Sequence, residues 1–185
     1  MTTILMGLQG EGMDTRKMVR LSLLVALATV LSILENQLPI PRPPWLKLGL
    51  ANVITLVALV MYGVRAALTV SCMRALLAGI FGALPMLPFS FSAAVTSSLS
   101  MGILYRISSR RLSIIGLSVS GAVIHNLTQL LVAYFMLSLN RASILALVPI
   151  LILAAVVSGV ITGLIARNLI RRIMPEENNE LITSE

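Results

Sequence analysis

Apolar residues run through this chain in blocks of roughly 20, each long enough to cross the ~30 Å hydrocarbon core of a bilayer as a helix. Six such blocks are predicted, at residues 18–38, 45–62, 66–84, 89–107, 112–139 and 144–170. The last two exceed the ~20 residues a crossing needs, which predicts tilt or protruding ends. The connections differ in character from the blocks. Pro39, Pro41, Pro43 and Pro44 make the first outer loop stiff and non-helical, and Trp45 follows them where an interfacial anchor belongs. Pro85 and Pro88 bracket the second outer loop. The pattern predicts an all-α polytopic membrane protein of six transmembrane helices. Its parts are a cytoplasmic N-terminal segment (1–17), a helical domain (18–172) and a polar cytoplasmic tail (173–185).

Composition agrees with that pattern and narrows the partners. The chain is 57% hydrophobic and 11% charged, with a mean hydropathy of +0.97; a soluble domain carries about 25% charged residues. The net charge of +7 invites a nucleic-acid reading. That reading fails, because the basic residues sit mainly at block ends and no aromatics interleave with them as a stacking surface requires. Arg16, Lys17, Arg20, Arg65, Arg106, Arg110, Arg111, Arg167, Arg171 and Arg172 fall on one side, and only Arg42, Lys47 and Arg141 on the other. This bias predicts both termini in the cytoplasm. The N-terminus does not have the form of a cleavable signal, so the first block is read as retained. Cys72 stands alone within an apolar block, which predicts no internal disulfide and no metal cluster.

Few polar residues interrupt the blocks. Residues 118–129, SVSGAVIHNLTQ, hold the only histidine of the chain. On a helix, Ser118, Gly121, Ala122, His125 and Gln129 share one face, which cannot point at lipid. Arg74 lies near the middle of the third block, and Glu35 at the outer end of the first. Lys47 and Asn52 sit at the outer end of the second, and Ser90, Ser92, Thr96, Ser97 and Ser98 in the outer half of the fourth. With the N-terminus inside, nearly all of these groups fall between the midplane and the outer face. A charge buried in a membrane costs several kcal/mol unless paired or hydrated, so the pattern predicts an outward-opening polar pocket floored near Arg74 and His125. Arg74 would supply a fixed positive charge, His125 a switchable donor or acceptor, and Asn126 and Gln129 orienting amides. Plainer roles stay open: Arg74 paired with Glu35 between helices, His125 as an interhelical hydrogen-bond partner, and the serines as packing residues.

Small residues mark packing surfaces. Ala155, Gly159 and Gly163 repeat at spacings of four in the sixth block, with Ser158, Thr162 and Ala166 as a second row. In the first block Ser22 and Ala26 form one such pair and Ala28 and Ser32 another. Spacing leaves open whether these rows serve internal packing or an external helix. No phosphate loop, no paired-aspartate magnesium site, no nucleophile–base arrangement and no Cys/His metal set occurs. The sequence therefore predicts no catalytic residues, no metal and no cofactor.

The segments KLGLAN (residues 47–52), Arg74 and GAVIHNLTQ (residues 121–129) carry a family resemblance. The chain resembles, over about residues 18–172, the bacterial membrane family called Gx transporter, also labelled heptaprenyl diphosphate synthase component I. That family is similar in turn to the S components of energy-coupling factor transporters, six-helix proteins of the cytoplasmic membrane. The resemblance implies capture of a small micronutrient or precursor from outside. A coupling membrane protein and two ATPase subunits would then drive its release inside. Within it, Arg74, His125, Asn126, Gln129, Asn52, Lys47, Glu35 and Thr96 are the expected ligand contacts. Ser22 and Ala26 are the expected contacts with the coupling protein. The synthase label implies another role, a non-catalytic membrane subunit in isoprenoid or quinone synthesis; Asp14 is the only aspartate, whereas prenyl synthases use aspartate-rich motifs.

Overall fold

The computed structural model describes residues 15–37, 49–82, 84–108 and 112–173. They form six α-helices: α1 (Thr15–Gln37), α2 (Asn52–Tyr62), α3 (Val64–Gly82), α4 (Leu87–Ile107), α5 (Ile114–Met136) and α6 (Arg141–Ile173), with a 3-10 turn at Leu84–Met86 before α4. No strand occurs among the described residues. Five of the helices are long and apolar enough to cross a membrane.

The exception is α2, and it corrects the second predicted block. A single helix over 45–62 was expected; the helix begins at Asn52 and has 11 residues. Its length of roughly 16 Å is about half of a bilayer core. The cause is local. Gly49 has φ +83°, a conformation that costs an L side chain about 1–2 kcal/mol. From there the chain turns into the helix through Asn52 N–H donating to the Gly49 carbonyl (2.8 Å), followed by Val53 to Leu50 (3.1 Å). Trp45 and Lys47 lie outside the described residues. At its other end α2 stops at Gly63, φ +86°, whose N–H still donates to the Leu59 carbonyl at 3.0 Å. Every residue of α2 from Asn52 to Leu59 is buried, and the helix packs against α1, α3, α5 and α6. It is the hub of the bundle.

The other boundaries follow recognisable caps. Ser113 starts α5 by accepting the Gly116 N–H at 3.0 Å, and Asn140 starts α6 by accepting the Ser143 N–H at 2.7 Å. At 33 residues α6 is roughly 50 Å long and exceeds any bilayer core, as its length in the sequence implied.

Packing answers the question of the small-residue rows. A Cβ on Gly159 would stand 2.7 Å from the Val119 Cα, and one on Gly163 2.9 Å from the Ile115 Cα. The stripe on α6 therefore holds α5 at backbone contact, and it is internal. The second row joins the same seam, where the Ser118 and Thr162 hydroxyls hydrogen bond at 2.8 Å. On α1 the two rows part company. Ala28 and Ser32 are buried, whereas Ser22 and Ala26 are exposed.

Exposure is inverted relative to a soluble domain. Leu23, Val30, Phe81, Ile103, Phe135, Leu145 and Leu153 point outward, while Glu35, Arg74, His125 and Gln129 are buried. Such an arrangement is stable only where the surrounding solvent is hydrocarbon. The chain is a multi-pass membrane protein.

The α5–α6 seam yields the first prediction. Gly159→Ala should destabilise the protein by about 1–3 kcal/mol, because the new methyl meets backbone that cannot move aside. Gly116→Ala, whose nearest neighbour would be the Ser113 hydroxyl at 3.6 Å, should be neutral or stabilising by up to about 1 kcal/mol. Thermal unfolding of the two variants in detergent checks the contrast.

Candidate functional site

The buried face of α1 runs through Leu21, Ala28, Ser32 and Glu35, at helical spacing. It delivers the Glu35 carboxylate to the turn that precedes α2. One oxygen accepts the Gly49 N–H at 2.8 Å and the other the Leu50 N–H at 3.0 Å. The reason is general: N–H groups leading into a helix lack intrahelical partners and carry partial positive charge, so an anion there is doubly favoured. In this protein the anion comes from a neighbouring helix, and α1 is thereby clamped to α2.

Arg74 sits on the buried face of α3, with Ala67, Val70, Ser71, Ala75 and Ala78. It is 3% exposed and interacts electrostatically with Glu35 and Cys72. Its Nε and Nη2 have no hydrogen-bond partner among the described residues. One turn below it on α3, Ser71 donates to the Ala94 carbonyl of α4 at 3.1 Å and fixes the rotation of this face.

Asn52 lies on the helix that forms a hairpin with the helix of Arg74. Both residues lie the same distance along their helices from the Gly63 corner, roughly 16 Å at 1.5 Å per residue. Asn52 is 5% exposed and its Oδ1 lacks a partner among the described residues. Thr55 follows one turn later on the same face, fully buried, with its Oγ1 in the same condition. Thr55 was missed in the sequence. The available signal was a polar residue three positions after Asn52 in an otherwise apolar helix.

His125 and Gln129 are buried one turn apart on α5, 2% and 0% exposed. His125 stands about as far from the start of α5 as Arg74 does from the start of α3. Helix α2 packs against both α3 and α5. Glu35, Asn52, Arg74, His125 and Gln129 thus come from four helices that meet on α2.

Two expected contacts bond to neighbouring helices. Asn126 points into the neighbouring helix, its Nδ2 donating to the Leu151 carbonyl of α6 at 3.4 Å. Thr96 is exposed, bonded to the Ser92 carbonyl of its own helix at 2.9 Å and to the Thr128 hydroxyl of α5 at 2.9 Å. Lys47 lies outside the described residues. The serines of α4 mostly bond back to their own helix, Ser98 to the Ala94 carbonyl at 2.6 Å among them, which is the packing role left open for them.

Ser22 and Ala26 line a groove of about 470 Å³ between α1 and α3, with Val25, Thr69, Met73 and Leu77. Its walls are almost entirely apolar apart from the two hydroxyls. No group of three or more His, Cys, Asp or Glu side chains able to hold a metal occurs among the described residues.

Comparison with known proteins gives one match. Residues 24–169 fit the family described as heptaprenyl diphosphate synthase component I, and the chain belongs to that family. No curated protein and no solved structure matches it.

The carboxylate clamp yields the second prediction. Glu35→Ala strands two buried N–H groups and removes the charge facing Arg74, which should cost on the order of 3 kcal/mol. Glu35→Gln keeps one acceptor oxygen and should cost roughly half as much. Denaturant unfolding in mixed micelles measures both, and equal losses would contradict the clamp.

Proposed function

We propose that this member of the component I family is a substrate-capture subunit of an importer of the energy-coupling factor type. On this reading it binds a small micronutrient or precursor from outside and has no catalytic residues of its own. The observation that carries the reading is the buried polar level around α2. A membrane bundle that keeps an arginine, a histidine, two amides and a carboxylate in its interior does so against a cost of several kcal/mol per unpaired charge. The unpartnered Nε and Nη2 of Arg74 and Oδ1 of Asn52 are a reason for a ligand to enter it. Arg74, Asn52, His125 and Gln129 are the contacts proposed from the described residues, and Lys47 is retained from the sequence. Asn126 and Thr96 serve helix packing instead, and Glu35 holds the turn beneath the site.

The second support is the groove with Ser22 and Ala26. Small side chains on the exposed face of α1 allow a partner helix to approach closely. With both termini in the cytoplasm, as the Lys/Arg bias indicates, this face lies toward the cytoplasmic side. A coupling membrane protein would dock there and link the subunit to two ATPases, consistent with the lack of a phosphate loop in this chain. The setting is the bacterial cytoplasmic membrane.

The family description favours a second reading, a non-catalytic membrane subunit of a heptaprenyl diphosphate synthase. The two readings name different partners. Affinity purification of the full chain from native membranes should recover a coupling membrane protein with two ATPases. Ser22→Trp combined with Ala26→Trp should abolish that recovery while leaving the unfolding temperature within a few degrees of wild type. Recovery of an aspartate-rich prenyl synthase subunit instead would overturn the importer reading.

A further inference from the structure

The chemistry of the captured molecule can be narrowed from the edge that Arg74 leaves unpartnered; this step rests on reading the α2 level as a ligand site. A guanidinium presents its N–H groups along distinct edges. Nε and Nη2 lie on one edge, with N–H bonds that run parallel and match the two oxygens of a carboxylate. Those are the two Arg74 nitrogens that are buried without a partner among the described residues. Glu35, the nearest source of such oxygens, has each of them engaged by a backbone N–H of Gly49 or Leu50. It acts on Arg74 as a charge through space.

The balance of charge favours an anion. Among the described residues, one guanidinium and the partial positive charge at the N-terminus of α2 stand against one carboxylate. The remainder is positive, and the paired N–H edge matches the two oxygens of a single carboxylate. On α2, Asn52 Oδ1 can only accept a hydrogen bond, and Thr55 Oγ1, one turn further along the helix, can accept or donate one. Both are buried and unpartnered. They fit a donor attached close to the carboxylate.

We propose that the site takes a small monocarboxylate bearing a hydroxyl or N–H next to its carboxylate, held by the Nε/Nη2 edge of Arg74 with Asn52 and Thr55 receiving the neighbouring donor. Other residues of the level then face the rest of the molecule.

Four probes with one common tail test this on the detergent-purified full chain by calorimetry: 2-hydroxyhexanoate, hexanoate, hexanamide and hexyl phosphate. Wild type should bind 2-hydroxyhexanoate several-fold more tightly than hexanoate, and hexanamide and hexyl phosphate each roughly tenfold or more weakly than hexanoate. Arg74→Lys, which keeps the charge but not the fork, should lose roughly tenfold for hexanoate. Thr55→Val should erase the advantage of the hydroxyl and leave hexanoate unchanged. Absence of binding by either carboxylate, equal binding of hexanamide, or tighter binding of hexyl phosphate would each overturn the proposal. So would undiminished hexanoate affinity in Arg74→Lys. If that variant does not fold, the wild-type series and Thr55→Val still decide. Carboxylate binding without recovery of a coupling protein leaves this inference standing and removes the importer reading. Recovery of the coupling protein with no carboxylate binding does the reverse.

Discussion

A guanidinium buried inside a helical bundle that lipid surrounds is the constraint on which the rest of this structure turns. Arg74 cannot reach water by snorkelling, because it sits near the middle of α3 and is 3% exposed. Its charge must be answered within the protein or by something the protein binds. Part of the answer is Glu35, brought to the same region by α1. That carboxylate would itself be costly without the two N–H groups of Gly49 and Leu50. Those N–H groups are available because the chain turns at Gly49 and α2 starts only at Asn52. The short helix, the positive φ and the buried ion belong to one arrangement.

Around this centre the bundle is built by two kinds of contact. Helices α5 and α6 touch along Gly159 and Gly163 closely enough for side-chain hydroxyls to bond across the seam. Helix α2 fills the middle with Val53, Ile54, Leu56 and Val57, packed against Ala66, Ala67 and Val70 of α3. In hydrocarbon the close approach of backbones replaces the hydrophobic driving force that a soluble core enjoys. Buried hydroxyls such as Ser98, Ser118 and Thr162 serve that helix packing, and the buried charges Glu35 and Arg74 lie on α1 and α3, which both pack on α2.

Much of this could be read from residue patterns. The spans were legible because apolar blocks of the required length are rare outside membranes. The α6 stripe was legible as a packing surface, but that its partner is α5 and not an external helix came only from the contacts of Gly159 and Gly163. The polar face of α5 was legible from spacing alone, with Ser118, His125 and Gln129 all buried as expected. The start of α2 was not. Leu46, Leu48 and Leu50 carry the apolar pattern past Lys47, and the positive φ of Gly49, from which the chain turns into α2, leaves no mark in that pattern. Thr96 and Asn126 bond to neighbouring helices, Thr96 to Thr128 of α5 and Asn126 to Leu151 of α6. Residue pattern does not record this, because one position along a helix is about 100° of rotation. The role of Glu35 was half legible: an electrostatic tie to Arg74 was one of the roles left open, and its grip on two backbone N–H groups was not visible, because no side-chain pattern records it.

A small molecule held at the polar level around α2 would be carried through purification. Native mass spectrometry of the full chain, gently extracted from the membrane in which it is made, can detect it when wild type is compared with a variant carrying Arg74→Leu and His125→Phe. Wild type should release a small anionic molecule on activation and the variant none, with both chains folded by circular dichroism. The same molecule on both chains, or none on wild type, would rule out a ligand at this level.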